Sequence, residues 1–269
     1  MSTGRNAIPT RSAAALLLAV LAVLAGCSLP KRPDNPSFPL TKAEARADLA
    51  RMEADRRPLE RPVVFLAGIG DPAVSSGALR AGVMRTLEGP VVEMSFIDEL
   101  TFDGARAKVL RETAGQLGVE VDALPEVDVV AFSMGGIVAR FAAMPDASGR
   151  FLRIKRLYTL SSPHEGARMA AAPFGVPQGD DMVPTSDFIA RLRETPRSYE
   201  LVCYARLDDA TVGEEFAAPE GEPLWWLPTP SGEYAHMSAF DDPRIHAELA
   251  RRLRGETPHT RPPAAPLPH

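Results

Sequence analysis

The sequence predicts an α/β fold: a mostly parallel central sheet with helices on both faces and at most a short cap. Three observations carry that prediction. From Pro62 onward, short apolar runs alternate with segments of helical composition, the order expected of parallel strands joined by helical crossovers. The runs are apolar throughout, as strands buried on both faces are. And 269 residues, 45% of them hydrophobic, suffice for one full-sized core without covalent staples. The same composition excludes other classes. Two cysteines cannot build a disulfide framework. A net charge of −5 with no dense Lys/Arg run makes nucleic acid an unexpected partner.

The first 26 residues read as a signal peptide. Arg5 and Arg11 precede the apolar run Ala13–Gly26, which is too short to span a bilayer as a mature helix but matches a signal-peptide core. It ends in Leu24-Ala25-Gly26-Cys27, which resembles a bacterial lipobox. That resemblance implies cleavage before Cys27 and its acylation with a fatty acid such as palmitate. Ser28 follows where Asp would resemble an inner-membrane retention signal, so the expected place is the cell envelope, at the outer membrane if the cell is Gram-negative. Cleavage removes two arginines and no acid, taking the net charge from −5 to −7. The lipid, and not basic charge, is then the expected membrane anchor.

Residues 27–61 read as a lipidated tether and a helix. Pro30, Pro33, Pro36 and Pro39 recur at the polyproline II period, predicting a stiff spacer over 28–40 of about 40 Å at ~3.1 Å per residue. Thr41-Lys42-Ala43-Glu44 has the form of a capping box and leads an Ala-rich, charged helix to about Arg57. Its scant apolar surface places it outside the main core.

The domain itself is expected over 62–255. Its strands are predicted at Val63–Ala67, Val91–Phe96, Val127–Phe132, Leu157–Leu160 and Leu201–Ala205, with helices over 74–87, 103–117 and Ile137–Met144. Arg244–Arg254 closes it with Ile245, Leu249 and Leu253 on one helical face. The tail, 256–269, carries five prolines and reads as disordered.

The chemistry is concentrated at Ser133. Val127–Phe132 feeds directly into Ser133-Met134-Gly135-Gly136 and then a helix. A serine at a sharp strand-to-helix turn is strained so that its hydroxyl projects from the sheet edge. Small neighbours are needed two residues either side, and Ala131 and Gly135 supply them. The helix start behind it offers N–H groups where an oxyanion would form. A base can be sought among five histidines, His164, His236, His246, His259 and His269. The last two fall in the tail, and His246 lies beside the apolar stripe of the final helix. His164 follows a strand and is a candidate site-lining residue. The chain order Ser…Asp/Glu…His selects His236. The acid between them is Asp208 or Asp209, just past the run Leu201–Ala205.

With these residues in hand, the chain resembles the small bacterial lipase/esterase group of the α/β-hydrolase fold. Ala131-Phe132-Ser133-Met134-Gly135-Gly136 is similar to the A-x-S-x-G-G elbow of Bacillus-type lipases. Val63–Gly70 is similar to their first strand and H-G-[hydrophobic]-G oxyanion turn, with Ala67 where His is usual. Asp209-Ala210-Thr211-Val212 matches the D-x-x-V acid segment, Ser161–Gly166 the T-P-H-x-G loop, and Val183–Leu192 the stretch leading toward the acid strand. The resemblance covers about Pro62–Arg254. It implies a Ser133–His236–Asp209 triad, an oxyanion hole from the N–H groups of Ile69 and Met134, and a site lined by Gly68 and Gly70. It implies no cofactor and an acyl-ester or lipid substrate.

Other features read less specifically. Cys203 reads as a small buried hydrophobe. Trp225 and Trp226 either form an acyl-binding lip or pack on the domain. Residues 165–198 are expected to make a short cap, helical over 186–194. Metal-binding spacings of the H-E-x-x-H or C-x-x-C kind are absent. Gly68–Ala73 also satisfies G-x-G-x-x-A, a weak dinucleotide fingerprint. The leading expectation is a monomeric serine ester hydrolase. An acyltransferase on the same residues and a non-catalytic envelope lipoprotein are the alternatives.

Overall fold

The computed structural model describes residues 34–171 and 177–268. The expected signal peptide, Cys27 and the first part of the proline spacer lie outside the described residues, as do 172–176 of the expected cap. The elements run α1 Lys42–Ala54, β1 Arg57–Pro58, β2 Val63–Leu66, α2 Val74–Met84, β3 Leu87–Glu88, β4 Val91–Met94 and α3 Phe102–Leu117. They continue with β5 Val127–Phe132, α4 Met134–Ala142, β6 Ile154–Leu160, α5 Pro177–Asp181, α6 Asp187–Glu194 and β7 Glu200–Arg206. The last are β8 Leu224–Leu227, α7 Ala235–Ser238 and α8 Pro243–Leu253.

Six strands form one sheet in the order β4-β2-β5-β6-β7-β8, every neighbouring pair parallel. All side chains of β2 and β5 are buried, which is why those strands lack polar alternation. Residues two apart along a strand still share a face. Val64, Leu66, Val129 and Ala131 pack with Val109, Ile137 and Ile189 on one side. Val63, Phe65, Val130 and Phe132 pack with Leu49, Leu79 and Leu249 on the other.

The chain leaves β2 for β4 on one side and returns to β5 on the other. The strand order therefore reverses between β2 and β5, and the crevice beyond their carboxyl ends is where open α/β sheets hold ligands. In register, Leu66 at the end of β2 lies opposite Ala131. The turns after β2 and after β5 thus emerge side by side, and these carry Ile69 and Ser133.

The helices begin where local chemistry starts them. Thr41 accepts from the Glu44 N–H (3.2 Å) while the Glu44 carboxylate accepts from the Thr41 N–H (2.9 Å), completing the anticipated capping box. Thr101 caps α3, which ends on Gly118 in the left-handed conformation. Asp242 caps α8, with Pro243 as its first residue. Each such cap contributes about 1 kcal/mol.

Several expectations are corrected. Helix α1 is not outside the core: Ala45, Leu49 and Met52 are buried against the second core face. Their spacing makes a narrow apolar strip that the charged average of the helix conceals. The second part of the expected spacer is not extended away from the domain. Asn35 Nδ2 donates to the Trp226 carbonyl (2.7 Å), and Phe38 is buried 6.3 Å from the Tyr204 ring. The proline period is real, but Phe38 and Leu40, on either side of Pro39, bury apolar surface that a free spacer would expose.

Nor is the tail disordered over 256–268. Glu248, fully buried, accepts from Thr260 Oγ1 (2.7 Å) and the His259 N–H (2.6 Å). Trp226 Nε1 donates to the Ala265 carbonyl (3.0 Å), and the Ala265 N–H donates to Ser37 Oγ (2.9 Å). A proline-rich chain loses little freedom when laid along a surface, and here it covers the outer strand β8. Residues 34–61 and 256–268 thus join 62–255 in one compact unit. Strand β8 itself was not anticipated. Trp225 and Trp226 are buried strand residues, which excludes the lip and leaves the packing role.

Candidate active site

Ser133 sits between the last residue of β5 and the first of α4, with φ 51° and ψ −128°. A non-glycine residue holds such a conformation only when its surroundings enforce it. Here the Ser133 N–H donates to the Leu160 carbonyl at 2.9 Å, pinning the turn to β6. Small residues are required around it. A Cβ on Gly135 would lie 2.6 Å from the Ala67 carbonyl oxygen, and one on Gly136 2.7 Å from Ser162 Cβ.

His236 lies on α7. Its Nε2 is 3.1 Å from Ser133 Oγ, and its Nδ1 is 2.8 Å from Asp209 Oδ2. A carboxylate only accepts, so Nδ1 donates to Asp209, and the neutral ring then presents Nε2 as acceptor for the serine hydroxyl. The Phe132 ring packs at 4.8 Å from the imidazole. Asp209 is 1% exposed, and its other oxygen accepts from the N–H groups of Thr211 (2.9 Å) and Val212 (3.1 Å). Burial alone would raise this carboxyl. The hydrogen bond and charge of His236, with the Val212 and Thr211 N–H groups, outweigh it and hold Asp209 below the usual carboxylate range. Asp208 is exposed in the left-handed conformation (φ 65°). Of the two acids left open by chain order, the structure brings Asp209 to the imidazole.

The turn after β2 approaches from the other side. A Cβ on Gly68 would lie 3.2 Å from Ser133 Cβ, so backbone reaches the serine closely, and Gly70 takes a left-handed turn at φ 63°. Met134 opens α4, so its N–H has no intrahelical acceptor. Ala67, buried where the resembling group has His, gives this turn no side-chain hydrogen bond. Asp71 does that work. It accepts from Val74 N–H (2.6 Å), Ser75 N–H (3.0 Å) and the Ser75 hydroxyl, while its carbonyl accepts from Ser95 Oγ (2.7 Å). The start of α2 therefore already holds its own anion where a dinucleotide phosphate would have to lie.

Six parallel strands, an elbow serine after the fifth in chain order of β1–β8, and a base on the loop before the last helix are the parts of a known architecture. The chain has the α/β-hydrolase fold. Bacillus licheniformis lipase BlEst2 in its propeptide form is similar over 77% of this chain and 54% of that one, at 16% identity and a TM-score of 0.53. Aspergillus fumigatus lipase B is similar over 87% of this chain and 62% of its own, at 14% identity and 0.54. Phospholipase PlaB from Legionella pneumophila is similar over 74% and 59%, at 12% identity and 0.53. The chain thus spans somewhat over half the length of these hydrolase-fold structures. No family model and no curated protein matches the sequence.

Within this fold His164 takes a different place from the site-lining one its loop suggested. It is fully buried, with Nε2 2.9 Å from Thr159 Oγ1 and Nδ1 3.2 Å from Arg140 Nη1. Arginine only donates, so Nδ1 accepts and Nε2 carries the proton. Burial, with Arg140 and Arg197 nearby, pushes its pKa well below the usual value. It is a neutral core histidine that ties its loop to α4. Cys203 is buried in β7 and its thiol is pushed up to about 12 by burial, so it is no nucleophile. Among the described residues no group of three or more His, Cys, Asp or Glu is placed to hold a metal.

Sequence reasoning missed Arg206. This guanidinium, 1% exposed at the end of β7, donates to Glu233 (2.5 Å), to Ser238 Oγ (2.8 Å) and to Asp242. Glu233 and Ser238 flank His236 in the chain, so one side chain from the strand that leads to Asp209 also fixes the loop carrying the imidazole. Asp242 is shared with Arg244 (2.6 Å). Burial opposes its charge, but the two guanidinium groups hold its carboxyl down at about 2. The only sequence signal was an arginine closing an otherwise apolar strand, where a lone cation requires a buried acid.

Proposed function

We propose that this protein is a serine carboxylic-ester hydrolase. The observation that carries the reading is the continuous hydrogen-bonded line from Ser133 Oγ through His236 to Asp209, started by a serine held at positive φ. Ser133 Oγ attacks the acyl carbonyl while His236 Nε2 takes its proton, and Asp209 orients the ring and stabilises the imidazolium. The N–H groups of Ile69 and Met134 receive the oxyanion. His236 returns the proton to the leaving alkoxide, giving an acyl-enzyme. Water, deprotonated by the same nitrogen, then releases the acid and restores Ser133. General-base help is worth about 10²–10⁴-fold and one oxyanion donor about 10²–10³-fold.

Acyl esters, lipids among them, are the proposed substrates. The names of the structural neighbours, two lipases and a phospholipase, support that class. The proposed place is the bacterial envelope, with Cys27 acylated as the anchor. What supports it is the sequence run Leu24–Cys27 at the end of an apolar stretch.

The test is turnover of p-nitrophenyl esters of graded chain length by residues 28–269, a span that includes every strand and both core faces. Ser133→Ala is expected to lower turnover by at least about 10³-fold with an unchanged far-UV circular dichroism spectrum. Turnover that survives in that variant contradicts the assignment.

A further inference from the structure

Five arginines are at least nine-tenths buried among the described residues: Arg106, Arg140, Arg206, Arg244 and Arg254. A guanidinium stays charged in a protein, so each needs something to offset its burial. Arg206, Arg244 and Arg254 each reach a carboxylate, and Arg106 lies 4.7 Å from the centre of the Phe141 ring. Arg140 is different. Its hydrogen bonds go to His164 Nδ1 (3.2 Å), the His164 carbonyl (3.4 Å) and the Leu192 carbonyl (2.6 Å), all of them neutral acceptors. Every Asp and Glu of the chain is among the described residues, and none of them is a partner of this guanidinium. Glu165, whose charge reaches it, is itself paired with Arg193. Burial works against the Arg140 charge, and the nearby Arg197 adds to that.

Arg140 lines a cavity of about 240 Å³ between the end of α4, the end of α6 and residues 195–199, which lead into β7. Tyr199 is the polar side chain next to the guanidinium. Burial raises its hydroxyl, and the Arg140 and Arg197 charges only oppose that rise, so it remains a neutral O–H that can donate. Met144, Phe151 and Leu192 supply apolar wall. Arg197 also faces the cavity, with its charge taken up by Glu222. One buried positive charge is thus left over, beside a donor hydroxyl and a hydrocarbon surface. None of these residues belongs to the Ser133 site. Arg140 stands seven residues from Ser133 along α4, about 10 Å at ~1.5 Å per residue.

We propose that this cavity binds a small monocarboxylate, with the carboxylate on the Arg140 guanidinium and the Tyr199 hydroxyl and the hydrocarbon body against Met144, Phe151 and Leu192. A guanidinium matches a carboxylate in shape as well as in charge. One unbalanced cation calls for a single negative charge, which a carboxylate carries and a phosphate group near pH 7 exceeds. An apolar cavity of about 150 Å³ takes benzene, so the volume here suits a chain of hexanoate size. Ester hydrolysis releases anions of this class. That link rests on the ester-hydrolase reading, whereas the cavity and its charge do not.

The experiment is calorimetric titration of residues 28–269 with sodium hexanoate at fixed ionic strength, with p-nitrophenyl butyrate turnover measured on the same samples. Saturable binding at one site in the millimolar range is expected. Hexan-1-ol, which lacks the charge, and inorganic phosphate, which lacks the hydrocarbon, are expected to bind at least tenfold more weakly. Arg140→Met is expected to weaken hexanoate binding at least tenfold, Tyr199→Phe and Phe151→Ala each several-fold, and Ser133→Ala not at all. Phe151 is exposed and Tyr199→Phe removes only a hydroxyl, so these two variants decide the matter even if Arg140→Met does not fold. The proposal is overturned by an absence of saturable binding, or by hexanol or phosphate that binds as tightly as hexanoate. It is equally overturned by a Ser133→Ala variant that no longer binds, by a folded Arg140→Met variant that binds like the parent, or by Tyr199→Phe and Phe151→Ala variants that both do. Hexanoate bound as expected without ester turnover would leave the cavity site standing and remove the hydrolase reading.

Discussion

At the residue scale, the distinction between Asp208 and Asp209 shows what one peptide unit decides. Both carboxylates follow β7, and spacing alone offers either. The backbone turns left-handed at Asp208 and throws it to solvent, so the next residue points inward to His236 and to the N–H groups of Thr211 and Val212. Asp209→Asn is predicted to lower kcat for a soluble ester by about 10³–10⁴-fold, because the amide no longer fixes the imidazole tautomer. Asp208→Asn is predicted to leave turnover near that of the parent. Steady-state kinetics on the two variants checks both. The serine and histidine were legible because a strand–Ser–Gly-Gly–helix pattern and a short list of histidines constrain them. His164 was not, because loop position says nothing about which way an imidazole points. Only burial and its Arg140 and Thr159 partners reveal a core role.

Strands and helices were legible where their apolar period was strong. Strand β5 matches its expected limits, and α3 and α8 differ from theirs by a residue. Failures fell on elements whose stability comes from elsewhere. Strand β8 is four residues of which the proline-rich tail covers one side, and that tail was read by composition alone. Removing residues 257–269 is predicted to strip Thr260 and the His259 N–H from buried Glu248 and uncover Trp226. A lowered Tm is expected, since each buried polar group left unpaired costs about 1–3 kcal/mol. Thermal unfolding of the truncated chain measures it, and an unchanged Tm would show that the tail is not part of the fold's support.

The link between β7 and α8 carries its own pH signature. Asp242 titrates at about 2 when folded, against roughly 3.9 in an unfolded chain. Its contribution is complete above the unfolded value and is lost as pH falls through the folded one, so the window is pH 4 to 2. It amounts to about 2–3 kcal/mol. Asp242→Asn is predicted to be less stable at pH 7, where Arg206 and Arg244 lose their shared carboxylate, and to lose less stability than the parent between pH 4 and 2. Urea unfolding across that range gives both quantities.

At the scale of the whole molecule, a parallel sheet buried on both faces sends every strand's carboxyl end to one edge. The reversal of strand order between β2 and β5 opens a crevice there. Ser133, the turn carrying Ile69, the Asp209 loop and the His236 loop come together because the topology delivers all four to that edge. This much follows from the alternation of apolar runs and helices. How the polypeptide flanking the domain joins the fold does not, since it is held by contacts between residues far apart in the sequence, such as Asn35 with Trp226 and Ser37 with Ala265.

The central claim is that Ser133 is an activated nucleophile, and covalent capture tests it most directly. Residues 28–269 would be treated with a fluorophosphonate and digested, and the modified peptide identified by mass spectrometry. One adduct is expected, on Ser133, lost in Ser133→Ala and strongly slowed in His236→Ala. A folded protein that takes up no probe, or carries it on another residue, would contradict it.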